Sequence, residues 1–175
     1  IAYALNTREV ADLTLPYYSK LQGKGEFHGK ITGSFDDPVI SGKARIDDSV
    51  IEGYPAGTLD ADIVYRKDLL HVNQCVLQCG DELHTVRGDI YFRKAKQLFE
   101  LASAEFKLHA LLKNAALKEF VRIFYPDFKA AGRFTSDLTI RGTIENPSVK
   151  GNVALGAASL YDVAFDSAAF ELKYS

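Results

Sequence analysis

Ile31-Thr32-Gly33-Ser34-Phe35-Asp36-Asp37-Pro38-Val39-Ile40-Ser41-Gly42 and Ile140-Arg141-Gly142-Thr143-Ile144-Glu145-Asn146-Pro147-Ser148-Val149-Lys150-Gly151 are one phrase written twice, 109 positions apart. Working outward, the match runs without a gap from Gly23–Tyr65 to Gly132–Tyr174, and Gly23, Ile31, Gly33, Pro38, Gly42 and Tyr65 recur as Gly132, Ile140, Gly142, Pro147, Gly151 and Tyr174. Four of these six identities are Gly or Pro, the residues that dictate backbone geometry. Between them class is kept, as in Ser34/Thr143, Phe35/Ile144, Ile40/Val149, Ile46/Leu155, Ile51/Leu160 and Ile63/Leu172. A fixed spacing of this kind marks a repeat architecture, in which each unit buries its apolar face by continuing into the next. Such a chain offers a long surface and needs no single catalytic centre.

The repeated phrase lies among strand signals. In Leu59-Asp60-Ala61-Asp62-Ile63-Val64-Tyr65, the odd positions Leu59, Ala61, Ile63 and Tyr65 share one face against Asp60 and Asp62. Val86, Gly88, Ile90 and Phe92 alternate with Arg87, Asp89 and Tyr91 in the same way, and Leu138–Ile144, Val149–Leu155 and Phe170–Tyr174 follow. Turn signals separate them at Asp36-Asp37-Pro38, Gly53-Tyr54-Pro55, Arg66-Lys67-Asp68, Cys79-Gly80-Asp81 and Glu145-Asn146-Pro147. The pattern predicts a mainly β protein, an antiparallel meander with one apolar and one polar face.

One interruption has a helical period. Leu112, Ala116, Phe120 and Phe124 recur every four residues, with Leu117 and Val121 beside them, so a helix is expected over 108–124, ending before Pro126. The equivalent slot of the first copy, Asn6 to Leu13 ahead of Pro16, is expected to be helical too, with Asn6 capping and Glu9 three residues on. The expected organisation is a first repeat unit over 1–107 and a second, truncated unit over 108–175, each opening with a short helix.

Composition narrows the function classes. A 47 % hydrophobic, 25 % charged chain of 175 residues is that of a folded domain. A net charge of −2 supplies no basic footprint, so no nucleic-acid partner is expected. No apolar run reaches the roughly 18–20 residues of a membrane span. With no Met in the chain, an excerpt of a longer protein is the expectation. Cys75 and Cys79, on one strand, would stand about 13 Å apart, beyond disulfide reach, and are expected to be structural thiols.

No catalytic constellation stands out. The histidines His28, His71, His84 and His109 are scattered, and no HExxH occurs. The glycines of Gly23–Gly29 have the wrong spacing for a dinucleotide fingerprint. Asp36-Asp37 and Asp47-Asp48 become Glu145-Asn146 and Gly156-Ala157 in the second copy, so no cation ligand set is kept. The expectation is a non-enzyme without cofactor or metal. One helix of about 17 residues spans roughly 25 Å, too little to seal a dozen strands. Either two sheet layers close on each other, or the inner face lines a groove open to an apolar ligand.

The unit Ile140-x-Gly142-Thr143-Ile144-Glu145-Asn146-Pro147-x-Val149-x-Gly151-x-Val153-x-Leu155, with its copy from Ile31 to Gly42, resembles the "G-T-hydrophobic-x-x-P-x-hydrophobic-x-G" repeat of the TamB family within the AsmA-like superfamily. The helix ahead of it and the strand pair closing on Gly80 and Gly88 are similar to that family as well. The resemblance implies a curved antiparallel sheet, the β-taco, whose hydrophobic groove carries phospholipid across the periplasm. It implies anchoring in the inner membrane through segments outside this chain, an outer-membrane partner of the Omp85 type, and adjoining repeats of the same chain. An assembly module pairing its sheet edges with client strands and a passive spacer are the alternatives. The groove residues expected from the shared phase are Ile31, Phe35, Ile46, Ile63, Tyr65, Ile90, Phe92, Ile140, Ile144, Leu155, Leu172 and Tyr174.

Overall fold

The computed structural model describes residues 2–6, 21–34, 37–51, 54–92, 103–124, 127–161 and 163–175. Among the described residues eleven strands form one antiparallel, curved, open sheet. They are β1 (Ala2–Asn6), β2 (Leu21–Gly33), β3 (Pro38–Ile51), β4 (Tyr54–Arg66), β5 (Leu69–Cys79), β6 (Glu82–Tyr91), β7 (Glu105–Ala116), β8 (Ala130–Gly142), β9 (Pro147–Leu160), β10 (Val163–Phe165) and β11 (Ala168–Tyr174). Each strand pairs with the next in sequence as far as β10, and β11 returns to β9. At about 4.8 Å between strands, the ten-strand path carries each face of the sheet roughly 40 Å.

The 109-residue offset governs the backbone itself. Added to the bounds of β2 and β3 it gives the bounds of β8 and β9. Pairing follows: Ile31 meets Ile40 and Gly33 meets Pro38, as Ile140 meets Val149 and Gly142 meets Pro147. Gly33 and Gly142 have φ of 88° and 95°, and a Cβ there would come within 2.4 Å and 2.3 Å of the Asp37 and Asn146 carbonyls. Only glycine turns so sharply without strain. The turns close alike, with the Asp37 amide donating to Ser34 Oγ at 3.1 Å and the Asn146 amide to Thr143 Oγ1 at 3.2 Å. Pro38 and Pro147 each open the following strand, where a missing amide is tolerated.

The turn signals at Arg66-Lys67-Asp68 and Cys79-Gly80-Asp81 fall on two-residue turns, Lys67-Asp68 and Gly80-Asp81, which join β4 to β5 and β5 to β6. The left-handed position falls on Lys67 (φ 51°) in one and Gly80 (φ 59°) in the other.

The helix departs from expectation. Residues 108–116 belong to β7, and α1 covers only Leu117–Phe124. Leu108, Ala110 and Leu112 alternate with Lys107, His109, Leu111 and Lys113, and every second residue of a period-four stripe also satisfies a strand's period of two. The ladder passes through a bulge at Asn114, φ 54°, and ends at Ala116, immediately before α1. The boundary expected at 107/108 therefore falls inside β7, and the sheet runs through it unbroken. Asn6 is the last residue of β1, and residues 7–20, where the first copy's helix is expected, lie outside the described residues.

Candidate functional site

Register assigns the two faces. Residues directly opposite in an antiparallel ladder point the same way, so Phe27, Ala44, Ala61, Cys75, Val86, Ala110 and Leu138 form one line across seven strands. The line Ile40, Tyr65, Leu70, Ile90, Phe106 lies beside it. This is the apolar face. On the opposite face Arg45 holds Asp60 and Asp47, Asn73 donates to Asp62, and His71 and His109 meet Asp89 and Asp137. The bulges at Asn73-Gln74 and at Lys113-Asn114 each absorb an added residue, so the apolar phase survives the whole path.

Of the residues expected in a groove, Ile31, Ile46, Ile63, Tyr65, Ile90, Ile140, Leu155, Leu172 and Tyr174 share this face by register. Phe92, just past β6, packs with Tyr65 and Ala104. Ile144 does not belong: it sits in the turn between β8 and β9 and is exposed, because the chain leaves the ladder at Gly142. Phe35 lies outside the described residues.

The face is filled unevenly. At the β8–β9 end, Leu117 from α1, Phe134, Leu138, Val153 and Leu155 are buried together, and Phe120 packs its ring 5.0 Å from that of Phe134. A smaller core joins Tyr65, Phe92 and Ala104. Over β2 to β5, Phe27, Ile46, Leu59, Ile63 and Leu77 are half-buried, and Ile31 is 70 % exposed. The floor there is made of Gly25, Gly29, Gly42, Ala44 and Ala61. A Cβ on Gly29 or Gly42 would stand 2.5 or 2.8 Å from the Phe27 ring, so those glycines make room for a ring lying flat on the sheet.

Sequence reasoning left out this floor and a polar end to the face. The Gly25-x-Phe27-x-Gly29 alternation was the available signal for the first. At the start of β6, Glu82 is buried on the apolar face, bound by Arg133 and by His84 at 3.3 Å. Arg133 also donates to the Asn114 carbonyl at 2.9 Å, tying the start of β6 to the bulge of β7. Only the register brings these positions together.

Electrostatic perturbations are modest. Burial pushes the Cys75 thiol up to about 11, with Asp60 adding to it. Burial raises the Tyr65 phenol as well. Both cysteines are free, and among the described residues no three His, Cys, Asp or Glu side chains converge as a metal site. No described helix is long and apolar enough to cross a membrane. Comparison with known proteins gave no match to any family model, curated protein or solved structure.

Proposed function

We propose that the chain is a segment of a lipid-conducting trough, with acyl chains lying along the apolar face across the strands. The observation that carries this reading is the apolar phase held through β2 to β9 and on to β11, over a floor of Gly and Ala that leaves room above β2–β4. An acyl chain leaves water at about 0.8 kcal/mol per CH₂, so an uninterrupted apolar path lowers the barrier to crossing an aqueous gap. Passage down a gradient needs no bond-making residue, and the reading assigns none. The likeness of the repeated unit to the TamB family favours phospholipid as the cargo, a periplasmic setting between inner and outer membrane, and an Omp85-type partner for the longer protein. In that setting adjoining repeats continue the sheet from its edges.

The test is mass spectrometry of an organic extract of the purified protein. Phospholipid in stoichiometric amount, lost in Ile63→Arg and kept in Asp62→Ala, is the expected result. A lipid-free wild type, or equal lipid in both variants, contradicts it. A second reading, pairing of client strands with the sheet edge, is favoured by β11, whose Phe170 and Tyr174 are exposed beside an edge that pairs with no other strand among the described residues. A lipid-free protein that captures an outer-membrane β-hairpin peptide through β11 favours that alternative.

A further inference from the structure

Two of the clefts on the polar face are of similar size and opposite charge economy. The first, about 330 Å³ over β2–β5, mixes His28, Lys43 and Arg45 with Glu26, Asp60 and Asp62. Its guanidinium is satisfied internally: Arg45 reaches Asp47 at 3.0 Å and Asp60 at 3.1 Å. The second, about 370 Å³ over β5–β8, is lined by His71, Arg87, Lys107, His109 and Arg141, with no carboxylate.

The carboxylates nearest the second cleft are already engaged. Asp89 Oδ1 is 2.6 Å from His71 Nδ1, and Tyr91 donates to its Oδ2 at 3.2 Å. Asp137 Oδ1 is 2.6 Å from His109 Nε2. Register then sets Lys107 between Asp89 on one side and Arg141 on the other, with its Nζ 4.8 Å over the Tyr91 ring, and Arg87 opposite His109. Like charges opposed across a ladder repel, and Arg87 and Arg141 have no ion pair among the described residues. Three permanent cations thus surround a concavity into which the Thr139 position also opens. Guanidinium forks bind phosphate oxygens bidentately, and a multiply charged anion can be shared by both arginines while relieving the repulsion between Lys107 and Arg141.

We propose that the cleft bounded by Arg87, Lys107 and Arg141 binds a multivalent phosphate group, either a free phosphate compound or the phosphomonoester headgroup of a lipid. The site lies on the face opposite the apolar one and stands independently of the lipid-trough reading.

Calorimetric titration of the protein with inorganic pyrophosphate at low salt tests it. Saturable binding of one pyrophosphate per chain is expected, weakened about tenfold or more by Arg87→Gln and by Arg141→Gln, and unchanged by Arg45→Gln in the other cleft. Both cleft arginines are exposed, and circular dichroism checks that each variant keeps its fold. Should Arg141→Gln misfold, Arg141→Lys replaces it and is expected to show intermediate weakening. Flotation with phosphatidylcholine vesicles, with and without phosphatidic acid, separates the sources. Capture by phosphatidic acid that pyrophosphate reverses points to a headgroup, and pyrophosphate binding without capture points to a free phosphate; each upholds the proposal. Absence of saturable binding, cleft variants that match the wild type, an equal loss in Arg45→Gln, or citrate binding as tightly as pyrophosphate overturns it.

Discussion

The two copies of the repeated unit share a backbone and differ in what stands on it. Phe134, Leu138, Val153 and Leu155 of the second copy occupy the positions of Gly25, Gly29, Ala44 and Ile46 in the first. Phe134 and Leu138 are 3 % exposed under α1, whereas the first copy replaces both by glycine and lays Phe27 where the second has Ser136. One ladder of glycines, bulges and prolines thus supports either a filled core or a shallow floor. The choice is made by side chains that leave the hydrogen bonding untouched. The lesson is a division of labour: Gly33, Pro38 and their partners set geometry, while the positions that differ between copies set how much room remains above the sheet.

The largest expected effect comes from emptying the filled copy. Phe134→Ala should cost about 3–5 kcal/mol by denaturant titration, because it opens a cavity between α1 and β8. Phe27→Ala, at a half-buried ring, should cost about half as much or less; equal losses would mean the two copies are packed alike. Next come the turns, where the copies should agree. Gly33→Ala and Gly142→Ala should each lose about 1–3 kcal/mol, since φ near 90° and a carbonyl closer than 2.5 Å penalise any Cβ. A twofold difference between them would break the equivalence.

Ser49 sharpens the comparison at a single hydroxyl. It is 1 % exposed and donates to the Gly57 carbonyl at 2.7 Å, where the second copy has the buried Ala158. Ser49→Ala should cost about 1 kcal/mol, read from the same titrations. The smallest effect is chemical. With its thiol raised to about 11, Cys75 should resist iodoacetamide at pH 8 in the folded protein, as followed by peptide mass mapping. The sign for stability is fixed by the same shift. From the ordinary thiol value of 9.0 up toward 11 the unfolded chain releases its proton first, so the fold weakens with rising pH across that window.

Much of this architecture was legible in the chain. Glycine and proline at fixed offsets act locally, so Gly33, Pro38, Gly142 and Pro147 announced their turns, and alternation such as Leu59-Asp60-Ala61-Asp62-Ile63 announced the faces. The helix start was not legible, because Leu108 to Leu112 satisfies both periods and the pairing with β8 carries on through the bulge at Asn114 as far as Ala116. Ile144 was misplaced for a related reason: its apolar character matches the strand phase, but the ladder stops two residues earlier at Gly142. The buried Glu82 and the clustering of Arg87, Lys107 and Arg141 depend on pairing between strands distant in sequence, which no local pattern encodes.

Under the proposed function the face bearing Ile63, and not the face bearing Asp62, receives acyl chains. A photoreactive p-benzoylphenylalanine placed at position 63 or at position 62, irradiated with phospholipid present, tests it most directly. A lipid adduct is expected by mass spectrometry from position 63, and little or none from position 62. Equal labelling at both positions, or adducts from position 62 alone, would contradict it.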